Sequence, residues 1–188
     1  MKKRGNPDIE KVLLDSADIA AGVRRLARAI SRDYAGRNLV LIGVLKGSVV
    51  FLSDLIRLLT IPCSVDFMSV ASYGKDARSS GVVRLLLDLR ENPEGKDILL
   101  VEDILDTGLT LQYLKENLRT RKPRSLKVCV FLDKPGNRHV DVKADYAGFR
   151  IPNEFVVGYG LDYAEKYRNL PYLGVLKKEV YQNEIKTL

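Results

Sequence analysis

Three carboxylates, Glu102, Asp103 and Asp106, follow the apolar run 98–101 in the stretch ILLVEDILDTGLT, and Thr107-Gly108-Leu109-Thr110 comes directly after them. Acidic groups crowded at the end of a buried strand are unfavourable unless a cation or a set of sugar hydroxyls meets them. A turn of small and hydroxylic residues ahead of a helix offers N–H and hydroxyl donors to an anion, and the helix dipole favours negative charge there. The stretch therefore joins a phosphate cradle to groups suited to sugar hydroxyls and Mg²⁺, and a phosphorylated ribose carries both features. A plainer reading makes Asp106 a helix cap and leaves the other two solvated. That accounts for one Asp, but not for E-D-x-x-D-T-G-x-T after an apolar strand. Neither a Walker loop nor a G-x-G-x-x-G fingerprint is present.

The elements that must position these residues are legible from periodicity. Residues 16–35 read as an amphipathic helix with Ser16 as its N-cap. LVLIGV (39–44) is a continuous apolar run of the kind buried on both faces of a parallel sheet, and Lys46-Gly47-Ser48 opens a second helix through about Leu59. SVDFMSV (64–70), VVRLLLDL (82–89), ILLV (98–101) and LKVCVFL (126–132) read as strands, with a helix over 109–118. The polar segment SYGKDARSSG (72–81) is long for a tight hairpin. This alternation predicts an α/β fold, a central mainly parallel sheet flanked by helices. After residue 140 the pattern turns irregular (YAGF, FVVGYG, YLGVL), which predicts a small hood on the same domain. Residues 1–8 read as a mobile tail and 9–188 as a single domain, the hood coming mainly from 140–188 and the N-terminal segment.

Bulk properties narrow the class. A chain of 188 residues with 46% hydrophobic and 29% charged content fits one soluble domain. No apolar run approaches the ~18 residues of a membrane helix, and the basic N-terminus lacks the apolar segment of a signal peptide. Cys63 and Cys129 lie in apolar runs and read as reduced thiols; with a single His there is no zinc constellation. Together these point to the cytoplasm. The net charge of +7 suits either a nucleic acid or a small anionic substrate, because the basic residues are scattered and no RNP pattern appears.

VEDILDTGLT resembles the phosphoribosyl pyrophosphate signature of type I phosphoribosyltransferases. GVLKGSVVF, SVASYG, FLDKPGNR and FVVGYGLDYAEKYRNLP resemble, in order, further segments of the hypoxanthine-guanine branch of that family, covering roughly residues 10–176. The resemblance implies the type I phosphoribosyltransferase fold and transfer of a phosphoribosyl group to a 6-oxopurine, with release of pyrophosphate. Asp106, Thr107, Gly108 and Thr110 would hold the 5′-phosphate, with Asp106 also the general acid/base at the purine N7. Glu102 and Asp103 would meet the ribose and its Mg²⁺. Leu45, Lys46 and Gly47 resemble the pyrophosphate loop, in which the Leu-Lys peptide can be cis, and Arg168 would join them on the pyrophosphate. Ser72 and Tyr73 look like the mobile lid, although Ala71 replaces the family's usual Ser. Lys134 would donate to the purine O6, Phe155 would stack on the base, and the Val156 backbone would meet its Watson–Crick edge. Asp162, on the purine side, would take a second Mg²⁺. Taken singly, each of these last positions also has an ordinary structural reading: a solvent-facing Lys, a core Phe, a surface ion pair. The resemblance further implies a homodimer or homotetramer. Two alternatives remain: a xanthine-preferring transferase, and a phosphoribosyl pyrophosphate-sensing regulator that binds nucleic acid. The retained purine-side set (Lys134, Phe155, Asp162) and the lack of an added DNA-binding domain count against the second.

Overall fold

The computed structural model of the chain describes residues 6–72 and 83–182. In chain order the elements are β1 (Ile9–Leu14), α1 (Ser16–Asp33), β2 (Leu39–Leu45), α2 (Ser48–Leu58), β3 (Cys63–Ser72), β4 (Val83–Leu87) and β5 (Asp97–Leu105). They continue with α3 (Leu109–Thr120), β6 (Ser125–Asp133), a 3-10 turn (Pro135–Asn137), β7 (Tyr146–Arg150), β8 (Val156–Val157), β9 (Leu173–Leu176) and α4 (Lys178–Gln182). The main sheet has the order β4-β3-β2-β5-β6-β7 and is parallel except for β4, which runs antiparallel to β3.

The continuous apolar runs are explained by burial on both faces. Leu39 and Leu41 of β2, with Leu99 and Val101 of β5, pack on the side of α1 and α2 against Ile30, Phe51 and Leu55. Val40, Ile42, Ile98 and Leu100, the alternate residues of the same strands, pack on the other side against Leu111, Leu114 and Leu118 of α3. Because β2, β5 and β6 are parallel, their carboxyl ends and the loops that follow them emerge on one side, where open α/β sheets bind ligands.

Three sequence expectations are adjusted. The cap of α1 is Asp15, not Ser16: its carboxylate accepts from Ala17 N (2.8 Å) and Asp18 N (2.9 Å), and Asp18 reaches back to Asp15 N. Adjacent Asp and Ser are both competent caps, and the extended backbone at Asp15 decides between them. YAGF belongs to the main sheet rather than the hood, since β7 pairs parallel with β6 as its edge strand. The hood itself is a three-stranded sheet, β1-β9-β8, whose Val156, Leu173 and Val175 pack into the α1/α2-side core. Of the stretch 1–8, Asn6–Asp8 are described and Asp8 is tied down: its carbonyl accepts from Lys177 N (2.9 Å) and its carboxylate from the Tyr167 hydroxyl (2.9 Å). Cys63 and Cys129 are unpaired. Among the described residues, no helix is long and apolar enough to cross a membrane.

Candidate active site

β5 outlasts its partner on one side. Its pairing with β2 ends at Gly43↔Val101, while its pairing with β6 runs on to Leu105↔Asp133. Glu102 and Asp103 therefore extend from the sheet where one flank is open, and the strand pleat sends them to opposite faces. Glu102 lines a pocket of about 160 Å³ together with Asp106, Thr107, Gly108 and Thr110. It is 8% exposed, and its Oε2 is buried without a hydrogen-bond partner. Burial, reinforced by Asp103, holds its carboxyl well above the usual range. Asp103 lies on the other face against the loop after β2. Burial pushes it up to about 6, although the backbone N–H groups of Ile104 and Asp103 and the Arg168 charge pull the other way.

The turn read as a phosphate cradle leads into α3 beside this pocket. Gly108 caps α3 with φ +87, a left-handed conformation that L side chains rarely adopt, and a Cβ there would press on Val140. The α3 amides beyond it begin the helix dipole at the pocket wall. Next to the cradle, the Lys134 ammonium lies 2.8 Å from Asp106 Oδ2, and Asn137 Nδ2 donates to Asp106 Oδ1 at 3.0 Å. Lys134 is itself 8% exposed. The loop is held from behind by Arg138. Its guanidinium donates to the carbonyls of Asp106 (2.9 Å), Leu105 (3.1 Å) and Val142 (2.5 Å) and to Asp133 Oδ1 (2.6 Å). The N–H of His139, a residue to which the sequence assigns no catalytic part, donates to Thr107 O (2.9 Å).

The loop after β2 faces Asp103 directly. The Leu45–Lys46 peptide is cis. Gly47 lies so close to Asp103 that a Cβ would overlap its carboxylate, and Gly160 is packed equally tightly on the Gly47 carbonyl. Lys46 Nζ pairs with Glu165 at 3.0 Å, and Glu165 in turn lies 3.4 Å from Arg168. Arg168 also holds Asp162 Oδ1 and Gly160 O, each at 2.8 Å. Leu45, Lys46, Gly47, Asp103, Asp162 and Arg168 thus form one connected group.

Residues 11–164 match the family model described as the phosphoribosyl transferase domain. The hypoxanthine-guanine phosphoribosyltransferase of Bacillus subtilis (strain 168) is 51% identical over 176 residues, which is 94% of this chain and 98% of that protein. A crystal structure of a hypoxanthine phosphoribosyltransferase from Staphylococcus aureus superposes with a TM-score of 0.90 at 49% identity, covering 93% of this chain and 95% of that one. The chain belongs to the hypoxanthine-guanine phosphoribosyltransferase family. It also matches the bifunctional protein TilS/HprT of Listeria monocytogenes serotype 4b (strain F2365) at 49% identity, where it spans 93% of itself but 27% of that longer protein.

The remaining residues expected from this phosphoribosyltransferase family lie on the hood, at the end of β3 or outside the described segments. Phe155 stands just before β8 with 39% of its surface exposed. The Val156 side chain is in the core, so only its backbone can face a ligand. Of the expected lid pair, Ser72 is the last residue of β3, and Tyr73 lies outside the described residues. Arg138, Asn137, Glu165 and Gly160 were not singled out by sequence reasoning. All four fall inside the quoted segments FLDKPGNR and GYGLDYAEKYR, so the signal was a polar run beside already-assigned residues.

The donor set can be weighed for a divalent cation. Glu102 keeps an orphaned buried oxygen, and burial holds the Asp103 carboxyl up at about 6. Both are conditions a cation relieves. Among the described residues no three His, Cys, Asp or Glu side chains converge into a cage. Glu102 and Asp103 offer the one or two carboxylates by which Mg²⁺ is commonly held, with substrate oxygens and water completing the shell.

Proposed function

We propose that the chain transfers the 5-phosphoribosyl group from phosphoribosyl pyrophosphate to hypoxanthine or guanine, giving IMP or GMP and releasing pyrophosphate, with Mg²⁺ bound. The observation that carries this reading is the Lys134–Asp106 pair at 2.8 Å beside the phosphate cradle. On a 6-oxopurine, O6 and N7 are adjacent on one edge. An ammonium next to a carboxylate matches that edge, with Lys134 donating to O6 and Asp106 accepting from a protonated N7. Adenine would turn its 6-amino donor toward the ammonium, leaving two donors opposed.

The remaining roles follow from position. Thr107, Gly108, Thr110 and the start of α3 hold the 5′-phosphate. Glu102 and Asp103 meet the ribose, where their negative charge suits a C1 that becomes cationic as pyrophosphate leaves. They would hold Mg²⁺, with Asp162 beside a second ion; the metal supplies charge neutralisation for the pyrophosphate. Lys46, the Gly47 backbone and Arg168 take the leaving group, the last as a fixed fork of donors. Asp106 holds the N7 proton at its carboxylate during bond formation at N9. Phe155 stacks on the base and the Val156 backbone meets its Watson–Crick edge. Ser72 and Tyr73 would close over the reacting centre. No covalent nucleophile is needed, and the protein contributes orientation and electrostatics. We place the enzyme in the cytoplasm as a homodimer or homotetramer; the exposed Leu86 and Leu87 of the β4 edge are in keeping with association.

The test offers hypoxanthine, guanine, xanthine and adenine separately with phosphoribosyl pyrophosphate, with and without Mg²⁺, and follows monophosphates by chromatography. Metal-dependent product from hypoxanthine and guanine but not adenine is expected. Phosphoribosyl pyrophosphate binding without product from any base would overturn the reading in favour of a regulator.

A further inference from the structure

Phe155 does not stand alone on the hood. The Tyr181 ring of α4 lies over it with centroids 4.8 Å apart and planes 19° from parallel. Tyr163 meets Phe155 edge-on at 5.6 Å and 87°, and approaches Tyr181 at 6.5 Å. One face of the Phe155 ring is therefore covered by Tyr181 and one edge by Tyr163, yet 39% of the residue is still exposed. Tyr181 takes one face of the ring, so a planar partner would stack on the opposite one.

The backbone makes this arrangement fixed rather than incidental. The Leu176 N–H donates to Phe155 O (2.9 Å), so β9 is bonded to Phe155 itself. The next residue, Lys177, donates to Asp8 O (2.9 Å), and Val180 N closes onto Lys177 O (3.0 Å), starting α4. The short run from Leu176 to Tyr181 is thus anchored at both the Phe155 backbone and the N-terminal segment. Tyr163, in turn, directly follows Asp162.

We propose that Tyr181 is a positioning residue for the purine: it backs Phe155 so that the base completes a three-ring stack, Tyr181–Phe155–purine, on the free face. This rests on the reading of Phe155 as the base-stacking residue. A solvent-exposed Phe is free to change rotamer, and a partner fixed on one face holds the other ready for a flat heteroaromatic ligand. The sequence alone places Tyr181 in a stretch with no recognisable motif, near the end of the chain.

The test compares wild type with Tyr181→Ala and Tyr181→Phe, varying hypoxanthine at saturating phosphoribosyl pyrophosphate and then the reverse. An offset aromatic stack of this kind corresponds to a rise in base KM of roughly 3–10-fold in Tyr181→Ala. The KM for phosphoribosyl pyrophosphate and kcat should stay within about twofold, because the lost contact touches neither the sugar nor the reacting bond. Tyr181→Phe should restore the base KM, since the ring rather than the hydroxyl makes the stack. An unchanged base KM in Tyr181→Ala would overturn the proposal. So would a lower one, which would mean that Tyr181 covers the face the base needs. Equal rises in both KM values with a fall in melting temperature would overturn it too, as a general structural effect. The underlying reading fails separately: a wild type that turns over no 6-oxopurine sinks the transferase, whereas an active wild type with an unmoved Tyr181→Ala sinks only the stack.

Discussion

Asp106 has two duties that its surroundings keep apart. Its backbone carbonyl is bound by Arg138, while its carboxylate is shared between Lys134 and Asn137. Asp106→Asn preserves the shape and the loop anchoring but removes the proton acceptor. It should lower kcat by about 10²–10⁴-fold with little change in phosphoribosyl pyrophosphate KM; unaltered kcat would remove the acid/base role. Lys134→Ala should narrow the hypoxanthine-over-adenine preference in kcat/KM by roughly 10–100-fold, the worth of a hydrogen bond to a charged group. Equal preference before and after would take Lys134 out of the base pocket. Asp103 makes a pH prediction. Its folded-state carboxyl is raised to about 6, mainly by burial, so between roughly pH 4 and that value the folded chain keeps a proton that the unfolded chain has lost. Its contribution to stability therefore falls as pH rises through that window. Asp103→Asn should lessen that loss in urea midpoints measured across it without ligands, and an identical pH profile in both proteins would refute the assignment. Asp33, Asp88 and Asp97 are lowered by their hydrogen bonds and act in the opposite sense at lower pH, whereas Glu102, raised by burial and by Asp103, acts in the same sense, so the variant reads Asp103 together with its effect on Glu102.

At the scale of elements, the site is assembled where strand ends meet loops at very short range. The loop between β2 and α2 rests on β5 through Gly47, and the hood turn rests on that loop through Gly160. The Ser48 hydroxyl, donating to Val44 O at 2.7 Å, ties the first turn of α2 to the strand it leaves. A methyl at Gly47 would overlap the Asp103 carboxylate, so Gly47→Ala must either turn that carboxylate away or lift the loop off the strand end. A displacement of this order costs about 10²-fold in kcat/KM for phosphoribosyl pyrophosphate, with the base KM affected less. Wild-type kinetics in Gly47→Ala would show that the loop tolerates the shift. The GVLKGS stretch was legible as a strand-to-helix turn. Its contact with Asp103 was not, because the residues are far apart in the chain and only the parallel β2–β5 register brings them together.

Across the whole molecule, Phe131 joins the main sheet to the hood. Its ring lies 5.6 Å from Phe51 of α2, 5.6 Å from Phe149 of β7 and 4.7 Å from Tyr159 of the hood turn. Tyr159 then donates its hydroxyl to Asp54 Oδ2 on α2 (2.7 Å). The hood turn is thus seated on α2, the helix that follows the Leu45–Gly47 loop. Phe131→Ala should cost about 3–5 kcal/mol and also weaken activity, since the cavity would open beside Tyr159 of the hood turn. Urea unfolding with parallel kinetics would check both, and a loss under about 1 kcal/mol would show that the aromatic cluster can collapse without harm.

What the sequence by itself determined is local or periodic in origin. Two-sided apolar runs such as LVLIGV specify buried parallel strands, and E-D-x-x-D-T-G-x-T places three acids and a helix start within one short stretch. Both signals depend on neighbours in the chain. Asp15 rather than Ser16 as a cap, YAGF as the sixth strand of the sheet, and the Tyr181 ring over Phe155 were decided only in three dimensions. In each case the local pattern admits more than one outcome; the backbone at Asp15 selects the cap, and long-range packing selects the other two. The opposite orientation of Glu102 and Asp103, one toward the phosphate cradle and one toward Gly47, belongs to the same class. The pairing of β5 with β6 through Leu105 sets that pleat, and the strand's own sequence does not reveal where its pairing ends.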